Sequence, residues 1–109
     1  RFELEINRKK VGDIMIGDGV IVSTPFGSTG YYHSITSRKF DKGIGIAFNN
    51  LTKPKKPMII RDNSKIRLKI LRGTALLSHD NDPHMVRLHE GDVVEISRAK
   101  EVARIIKIK

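Results

Sequence analysis

Apolar and polar residues alternate one by one along much of this chain, and this period of two constrains its fold more than any other feature. The stretch "FELEI" at residues 2–6 sets three apolar side chains against two glutamates. The stretch "KIRLKIL" at residues 65–71 sets aliphatic side chains against lysine and arginine. Because successive side chains of a strand point to opposite faces, both stretches predict strands with one dry face and one wet face.

Short runs rich in apolar residues follow one another along the whole chain, separated by turn-forming residues. Turn signals occur at residues 10–13, 61–64, 72–73, 79–84 and 89–92. Many short strands at this spacing predict a mainly β fold, an antiparallel β-sandwich or barrel. The further strand candidates lie at residues 14–16, 20–23, 44–48, 58–60, 74–78, 85–88, 93–97 and 102–108.

One segment, residues 30–39, lacks the alternation and follows a glycine-rich loop, "STPFGSTG" at residues 23–30. We expect one short helix there, with Ser28 or Thr29 as its N-cap. Glycine lets a ligand approach the backbone closely, and free N–H groups ahead of a helix attract anions. An ordinary strand-to-helix turn, in which the hydroxyl groups only cap, is the alternative.

Size and composition predict a single soluble domain. The chain has 109 residues, of which 39% are hydrophobic and 30% charged, and it lacks an apolar run long enough for a membrane span. It has no cysteine, which excludes disulfides and thiolate metal sites and favours a cytoplasmic location. Because it begins with Arg1 and enters a strand at once, we expect it to be part of a longer polypeptide.

The charge balance favours anionic partners. Lysine and arginine number 21 against 12 acidic residues, a formal net charge of +9. A basic nucleic-acid-binding module is therefore one hypothesis, with Lys65, Arg67 and Lys69 following a phosphate backbone. With four phenylalanines, two tyrosines and no tryptophan, the chain is poorly supplied for base stacking. A solvated lysine-rich surface without a partner is the simpler interpretation.

Other site motifs are weak or absent. The stretches "GDGVIV" and "GIGIAF" lack the third glycine of a dinucleotide fingerprint, and no Gly-Lys-Ser/Thr is present for a P-loop. Histidines and aspartates concentrate in "SHDNDPHMVRLHEGD" at residues 78–92, but their spacing does not fit a calcium loop. A polar turn is favoured there over a zinc site. No serine lies in a nucleophile elbow.

A more specific indication comes from "DGVIVSTPFGSTGYYHS" at residues 18–34. It resembles the signature of the NAD kinase family, in which Asp-Gly and an apolar strand precede Thr-Pro-Thr-Gly-Ser-Thr-Ala-Tyr and a serine three residues later. "FELEIN", "LLSHDND" and "LHEGDVVEIS" are similar to other family segments, so the resemblance extends over essentially the whole chain. It implies that residues 1–109 are the C-terminal, NAD-binding β-rich domain of such an enzyme.

The resemblance also implies a function. The family transfers a phosphoryl group from ATP or polyphosphate to the 2′-hydroxyl of the adenosine ribose of NAD, giving NADP, with Mg²⁺ expected in the full-length enzyme. The family's Gly-Gly-Asp-Gly and Asn-Glu/Asp segments have no match here, so this chain alone should be inactive. The implied partners are NAD and NADP, the chain's own N-terminal domain and further copies in a dimer or tetramer, but not a membrane.

Six residues match family positions that bind NAD, and none matches a catalytic or metal-binding position. The first, Asp18, resembles the carboxylate that accepts hydrogen bonds from ribose hydroxyls. The others are Thr29, Gly30 and Ser34, which resemble groups that hold adenine and ribose, Tyr31, which resembles a tyrosine bordering the dinucleotide, and Asp80, which resembles the acid of a later turn near the site.

The chain departs from the family pattern at several points in and after the loop. Phe26 replaces a threonine, Gly30 an alanine and Asn81 a glycine, and "SITS" follows where the family has Ser-Ala-Gly-Gly. Asparagine tolerates positive φ, so Asn81 fits the turn. The other changes predict a dinucleotide pocket of different fine shape, and a relative with altered substrate is an alternative.

Overall fold

The computed structural model describes residues 1–25, 36, 40, 42–79, 85–97 and 103–108. Within these residues the chain forms ten short strands and follows the predicted mainly β fold. The strands are β1 Phe2–Ile6, β2 Lys9–Lys10, β3 Gly19–Ser23, β4 Ile44–Asn49, β5 Met58–Ile60, β6 Ile66–Ile70, β7 Ala75–His79, β8 Met85–Leu88, β9 Val93–Ile96 and β10 Ala103–Ile108.

The described strands form two antiparallel sheets. The smaller sheet has four strands in the order β2-β1-β6-β9, and the larger has six in the order β5-β4-β3-β10-β7-β8. In the larger sheet β3 lies between β4 and β10, so the strand that carries the "GVIVS" stretch is central rather than at an edge. The predicted antiparallel arrangement is confirmed.

A hydrophobic core lies between the two sheets. Strand β6 contributes alternate residues to it, as its sequence predicts, with its aliphatic side chains buried and its basic side chains exposed. The buried core residues are Phe2, Leu4, Met15, Val20, Val22, Ile44, Ile46, Phe48, Ile66, Leu68, Ile70, Ala75, Leu77, Leu88, Val94 and Ile96. These side chains come from both sheets, which makes the molecule a β-sandwich.

The larger sheet is also buried on its outer face, the face turned away from the main core. All five residues of β3 are buried, although alternate ones point away from the core. Ile21 and Ala47 lie opposite each other in the register of β3 and β4, and Phe40 packs against them as a second cluster. Ser23 is 1% exposed on the same face. The centre of this sheet is therefore dry on both sides.

A two-residue hairpin connects β1 and β2. Asn7 and Arg8 have φ values of 51° and 70°, the left-handed geometry that two-residue hairpins require. The Asn7 side chain donates to Ser64 Oγ at 3.3 Å and accepts from the Lys65 N–H at 2.9 Å, which fixes the turn against the start of β6. In this region the sequence pattern predicted a turn at residues 10–13 and none at the hairpin, because no glycine marks the hairpin.

Two further sequence expectations, a strand and a short helix, are not confirmed. The strand expected at residues 14–16 is reduced to one antiparallel bridge between Met15 and Phe2. The expected short helix at residues 30–39, with its caps Ser28 and Thr29, lies outside the described residues apart from Thr36. In the part of the chain that the structure describes, no helix is long and apolar enough to cross a membrane.

Candidate functional site

The first candidate site residue, Asp18, lies directly before β3 at the rim of the larger sheet. Its backbone N–H donates to the Asn49 carbonyl at 2.9 Å, which continues the pairing of β3 with β4 by one residue. The side chain is exposed, whereas Gly19, the next residue, is buried. The sheet therefore fixes the backbone of Asp18 and leaves its carboxylate at the surface.

A second side chain at the same rim holds the Asp18 carboxylate. Asn50 Nδ2 donates to Asp18 Oδ2 at 2.9 Å. Asn50 follows β4 with a φ of 50°, a left-handed conformation that asparagine adopts more readily than most residues. This turn directs the chain back toward Asp18. No sequence motif marked Asn50 as a site residue.

Gly17 permits the close approach of these two segments. A Cβ atom at this position would lie 2.8 Å from the Asn50 carbonyl oxygen and 2.9 Å from Leu51 Cα, both backbone atoms. The Thr52 N–H also donates to the Ile16 carbonyl at 2.8 Å. The segments at residues 16–18 and 49–52 are thus joined along their backbones, with no room for a larger residue.

The glycine-rich loop begins at the other end of β3. Ser23 closes the strand and Thr24 and Pro25 follow. The five residues of β3 separate Asp18 from Thr24, a distance of roughly 20 Å along an extended strand. The described residues fix only the Asp18 end of the predicted site.

The remaining predicted site residues are not placed. Thr29, Gly30, Tyr31, Ser34 and Asp80 all lie outside the described residues. Asp18 is thus the one predicted residue with a described position, and its assignment to a ligand stays a prediction.

The histidine- and aspartate-rich segment at residues 78–92 is described only in part. The turn predicted at residues 89–92 is confirmed. The His89 N–H donates to Asp92 Oδ2 at 2.7 Å, and Gly91 has a φ of 89°. The residues that the structure describes contain no group of three or more histidine, cysteine, aspartate or glutamate side chains that could hold a metal ion. We therefore assign no metal ligand among them.

The basic residues of β6 do not form an uninterrupted cationic surface. In the strand register Arg67 lies between Glu5 and Glu95, and Lys69 lies opposite Glu3. Directly opposed residues of antiparallel strands share a face and lie within interaction range. On this outer face of the smaller sheet, glutamates alternate with cations from strand to strand. A phosphate backbone would meet carboxylates along with the cations, which disfavours the nucleic-acid interpretation.

The row that contains Arg67 continues to the edge of the smaller sheet. Lys10 is paired with Glu5, and its Nζ lies 3.4 Å from Glu3 Oε2. The alternation of charge therefore reaches the edge strand β2. Opposite charges in adjacent strands stabilise the sheet modestly, by about 0.2–1 kcal/mol per pair. We therefore interpret this outer face as a solvated surface.

The chain is similar in sequence to known proteins over nearly its whole length. The family model described as the ATP-NAD kinase C-terminal domain matches residues 1–108. An NAD kinase of Saccharophagus degradans is 30% identical over 112 residues, covering 96% of this chain and 37% of the relative. An NAD kinase of Clostridium perfringens is 34% identical over 95 residues, covering 83% of this chain and 34% of the relative.

These figures define both the family and the extent of the match. The chain spans about a third of the length of the curated relatives it matches. The family match covers nearly every residue, including the Asp18 rim and all ten described strands. The chain belongs to the ATP-NAD kinase C-terminal domain family.

Proposed function

We propose that this chain supplies the dinucleotide-binding part of an NAD kinase. In the proposed reaction a phosphoryl group from ATP or polyphosphate is transferred to the 2′-hydroxyl of the adenosine ribose of NAD, giving NADP. Membership of the ATP-NAD kinase C-terminal domain family supports this proposal. So do the names of the relatives, which are NAD kinases.

The observation that carries the proposal is the position of Asp18. Its carboxylate is exposed at the rim of a sheet whose central strand is buried on both faces, and Asn50 restrains it. A carboxylate offers two acceptor oxygens, which suit the paired hydroxyls of a ribose. Since β3 also leads into the glycine-rich loop, one rigid strand connects both predicted parts of the site.

The chain's own role in this reaction is to align the acceptor. Phosphoryl transfer needs the attacking hydroxyl, the donor phosphate and a divalent cation such as Mg²⁺ held in line. Fixing the ribose removes much of the entropy cost of that alignment. No residue here matches the family's catalytic segments, so we expect this chain to bind NAD without phosphorylating it. Those segments and the metal ligands would belong to an N-terminal domain of the full-length protein.

Surface charge and exposed strand edges fit the other proposed partners. A net charge of +9 attracts NAD, ATP and polyphosphate, all of which are anionic. We also propose a homo-oligomer, a dimer or a tetramer. In support, Met85 and Val86 of edge strand β8 are more than half exposed. Light scattering of the chain at several concentrations tests this, and a monomer mass throughout would contradict it.

An amide NMR titration of the chain with NAD tests the proposed binding. Part of a site binds weakly, so we expect a dissociation constant around millimolar, about −4 kcal/mol. Shifts should concentrate at Asp18, Gly19 and residues 29–34. A titration without shifts up to several millimolar NAD would contradict the proposal.

Two controls make the result specific. The Asp18→Asn variant keeps the size of the side chain and removes its charge, so it should weaken NAD binding without unfolding the domain. A short RNA titrated under the same conditions should cause little change along β6. Affinity for RNA that falls steeply with salt, together with no response to NAD, would support nucleic-acid binding instead.

A further inference from the structure

We infer that Asn50 is a positioning residue that orients the Asp18 carboxylate toward a bound ribose. The inference rests on the proposed function, in which Asp18 accepts hydrogen bonds from ribose hydroxyls. It starts from the 2.9 Å hydrogen bond between Asn50 Nδ2 and Asp18 Oδ2. Both side chains are exposed at the rim of the larger sheet.

The Asn50 amide restrains an otherwise free side chain. An exposed aspartate samples several rotamers, and binding a ligand to one of them costs conformational entropy. A hydrogen bond to one carboxylate oxygen limits the rotation and directs the other oxygen to one side. Binding then begins from a preorganised carboxylate.

The backbone around Asn50 is itself fixed, so the amide is a stable anchor. Hydrogen bonds from Asp18 N–H to the Asn49 carbonyl and from Thr52 N–H to the Ile16 carbonyl flank the residue on both sides. Gly17 allows the two segments to touch. The geometry therefore links three features of one rim: a glycine without space for a Cβ, an asparagine with positive φ and the carboxylate that it holds.

Asparagine at this position combines two properties, and substitutions can separate them. Glycine tolerates a φ of 50° but has no amide donor, so Asn50→Gly removes the hydrogen bond without straining the turn. Aspartate keeps the size of the side chain but places a second carboxylate against Asp18. Alanine would remove the donor and strain the backbone at once, which makes it the poorer test.

Asn7 offers a matched control in the same chain. It also has positive φ, at 51°, and its side chain also forms hydrogen bonds across a turn, with Ser64 and Lys65. It lies in the hairpin of the smaller sheet rather than at the Asp18 rim. Asn7→Gly therefore loses the same kind of interaction without touching the proposed site.

The test is the dissociation constant of NAD for the chain and its variants, measured by amide NMR titration beside urea denaturation. We expect Asn50→Gly to weaken NAD binding about fivefold to tenfold, within the range for losing one ordinary protein hydrogen bond. Asn7→Gly should lower stability to a similar degree and leave NAD affinity unchanged. Equal NAD affinity in the native chain and Asn50→Gly would overturn the inference.

A double exchange distinguishes positioning from mere support of the fold. Combining Asp18→Asn with Asn50→Asp keeps an amide-to-carboxylate hydrogen bond but moves the carboxylate to position 50. We expect stability close to that of the native chain and NAD affinity as low as in Asp18→Asn alone. Recovery of native affinity in the exchanged chain would overturn the inference, since the place of the carboxylate would then not matter.

Failure of the inference and failure of the proposed function give different results. If the native chain shows no NAD response, the proposed function fails and the inference with it. If the native chain binds NAD and Asp18→Asn weakens the binding, but Asn50→Gly does not, the inference alone fails.

Discussion

The two sheets of this domain differ in what their outer faces contact. The outer face of the smaller sheet carries alternating glutamates, lysines and arginine exposed to water, whereas the outer face of the larger sheet is dry at β3 and β4. On β6 the burial alternates residue by residue, while β3 is buried throughout. The smaller sheet needs only alternation because one of its faces is wet, whereas the centre of the larger sheet is buried on both faces.

The burial of β3 on both faces should keep the Asp18 rim rigid. A strand packed on both faces resists bending, because close-packed interiors leave little room for side chains to move. Asp18 and the start of the glycine-rich loop extend from the two ends of that strand. The larger sheet thus acts as the rigid support, and the smaller sheet closes the core beneath it.

A charge on the outer face of the larger sheet should be the most damaging substitution. Ile21 is 2% exposed there, so Ile21→Asp would bury a carboxylate without a partner. We expect the free energy of unfolding to fall by about 3–5 kcal/mol, measured by urea denaturation.

The matched control is Val93→Asp on the outer face of the smaller sheet. Val93 is 38% exposed and lies opposite Lys69, so the new carboxylate would remain solvated beside a cation. We expect a change within about 0.5 kcal/mol. Similar losses in Ile21→Asp and Val93→Asp would show that the two outer faces do not differ as described.

Truncation of an inner-face side chain should destabilise the domain to a similar degree in either sheet. Leu68 of β6 and Ile46 of β4 are both 0% exposed in the shared core. Truncating either to alanine leaves a cavity, and we expect each free energy of unfolding to fall by about 2–4 kcal/mol in urea denaturation. A loss below 1 kcal/mol at one site only would mean that the core is not shared equally by the sheets.

A single methyl group added at Gly17 should destabilise the rim of the larger sheet. Gly17→Ala places a Cβ within 3 Å of backbone atoms of Asn50 and Leu51, which must then move apart. We expect a loss of about 1–3 kcal/mol in stability, together with amide shifts at Asp18 and Asn50. The glycine at position 91 is the control, because a Cβ there meets nothing within 4 Å and only its φ of 89° adds strain. Unchanged amide shifts at Asp18 in Gly17→Ala would contradict the described contact.

The charge ladder of the smaller sheet should give the smallest effect. Arg67→Glu would place three glutamates in one row, since Arg67 lies between Glu5 and Glu95. We expect a loss of about 0.5–1 kcal/mol at low salt, measured by urea denaturation. The loss should shrink in 1 M NaCl, where the Debye length is about 3 Å. A loss that is independent of salt would point to packing rather than charge.

The smaller sheet was largely predictable from sequence because each strand obeys one rule. Phe2, Leu4, Ile66, Leu68 and Ile70 alternate with charged residues, and the structure buries all five. The β1–β2 hairpin was missed because Arg8, rather than glycine, occupies a left-handed position. Its turn is stabilised by Asn7 contacts with Ser64 and Lys65, which are distant in sequence.

The larger sheet and the site were predictable only in part. Runs such as those of β3 and β4 indicated strands, but no local pattern reveals that Phe40 covers Ile21 and Ala47 on the outer face. Asp18 was predicted as a site residue through its resemblance to a known motif. Asn50 was not, because the hydrogen bond joins residues 32 positions apart. Its sequence signal was slight: it is the second of two asparagines that end the apolar run at residues 44–48.

We propose that the rim of the larger sheet, at Asp18, holds a ribose of NAD. Isotope-filtered NOE spectroscopy of the chain with unlabelled NAD tests this proposal, because it detects protons of the two molecules that lie close together. We expect cross-peaks from NAD ribose protons to the amides of Asp18 and Gly19. Cross-peaks confined to the outer face of β6, with none at the Asp18 rim, would contradict it.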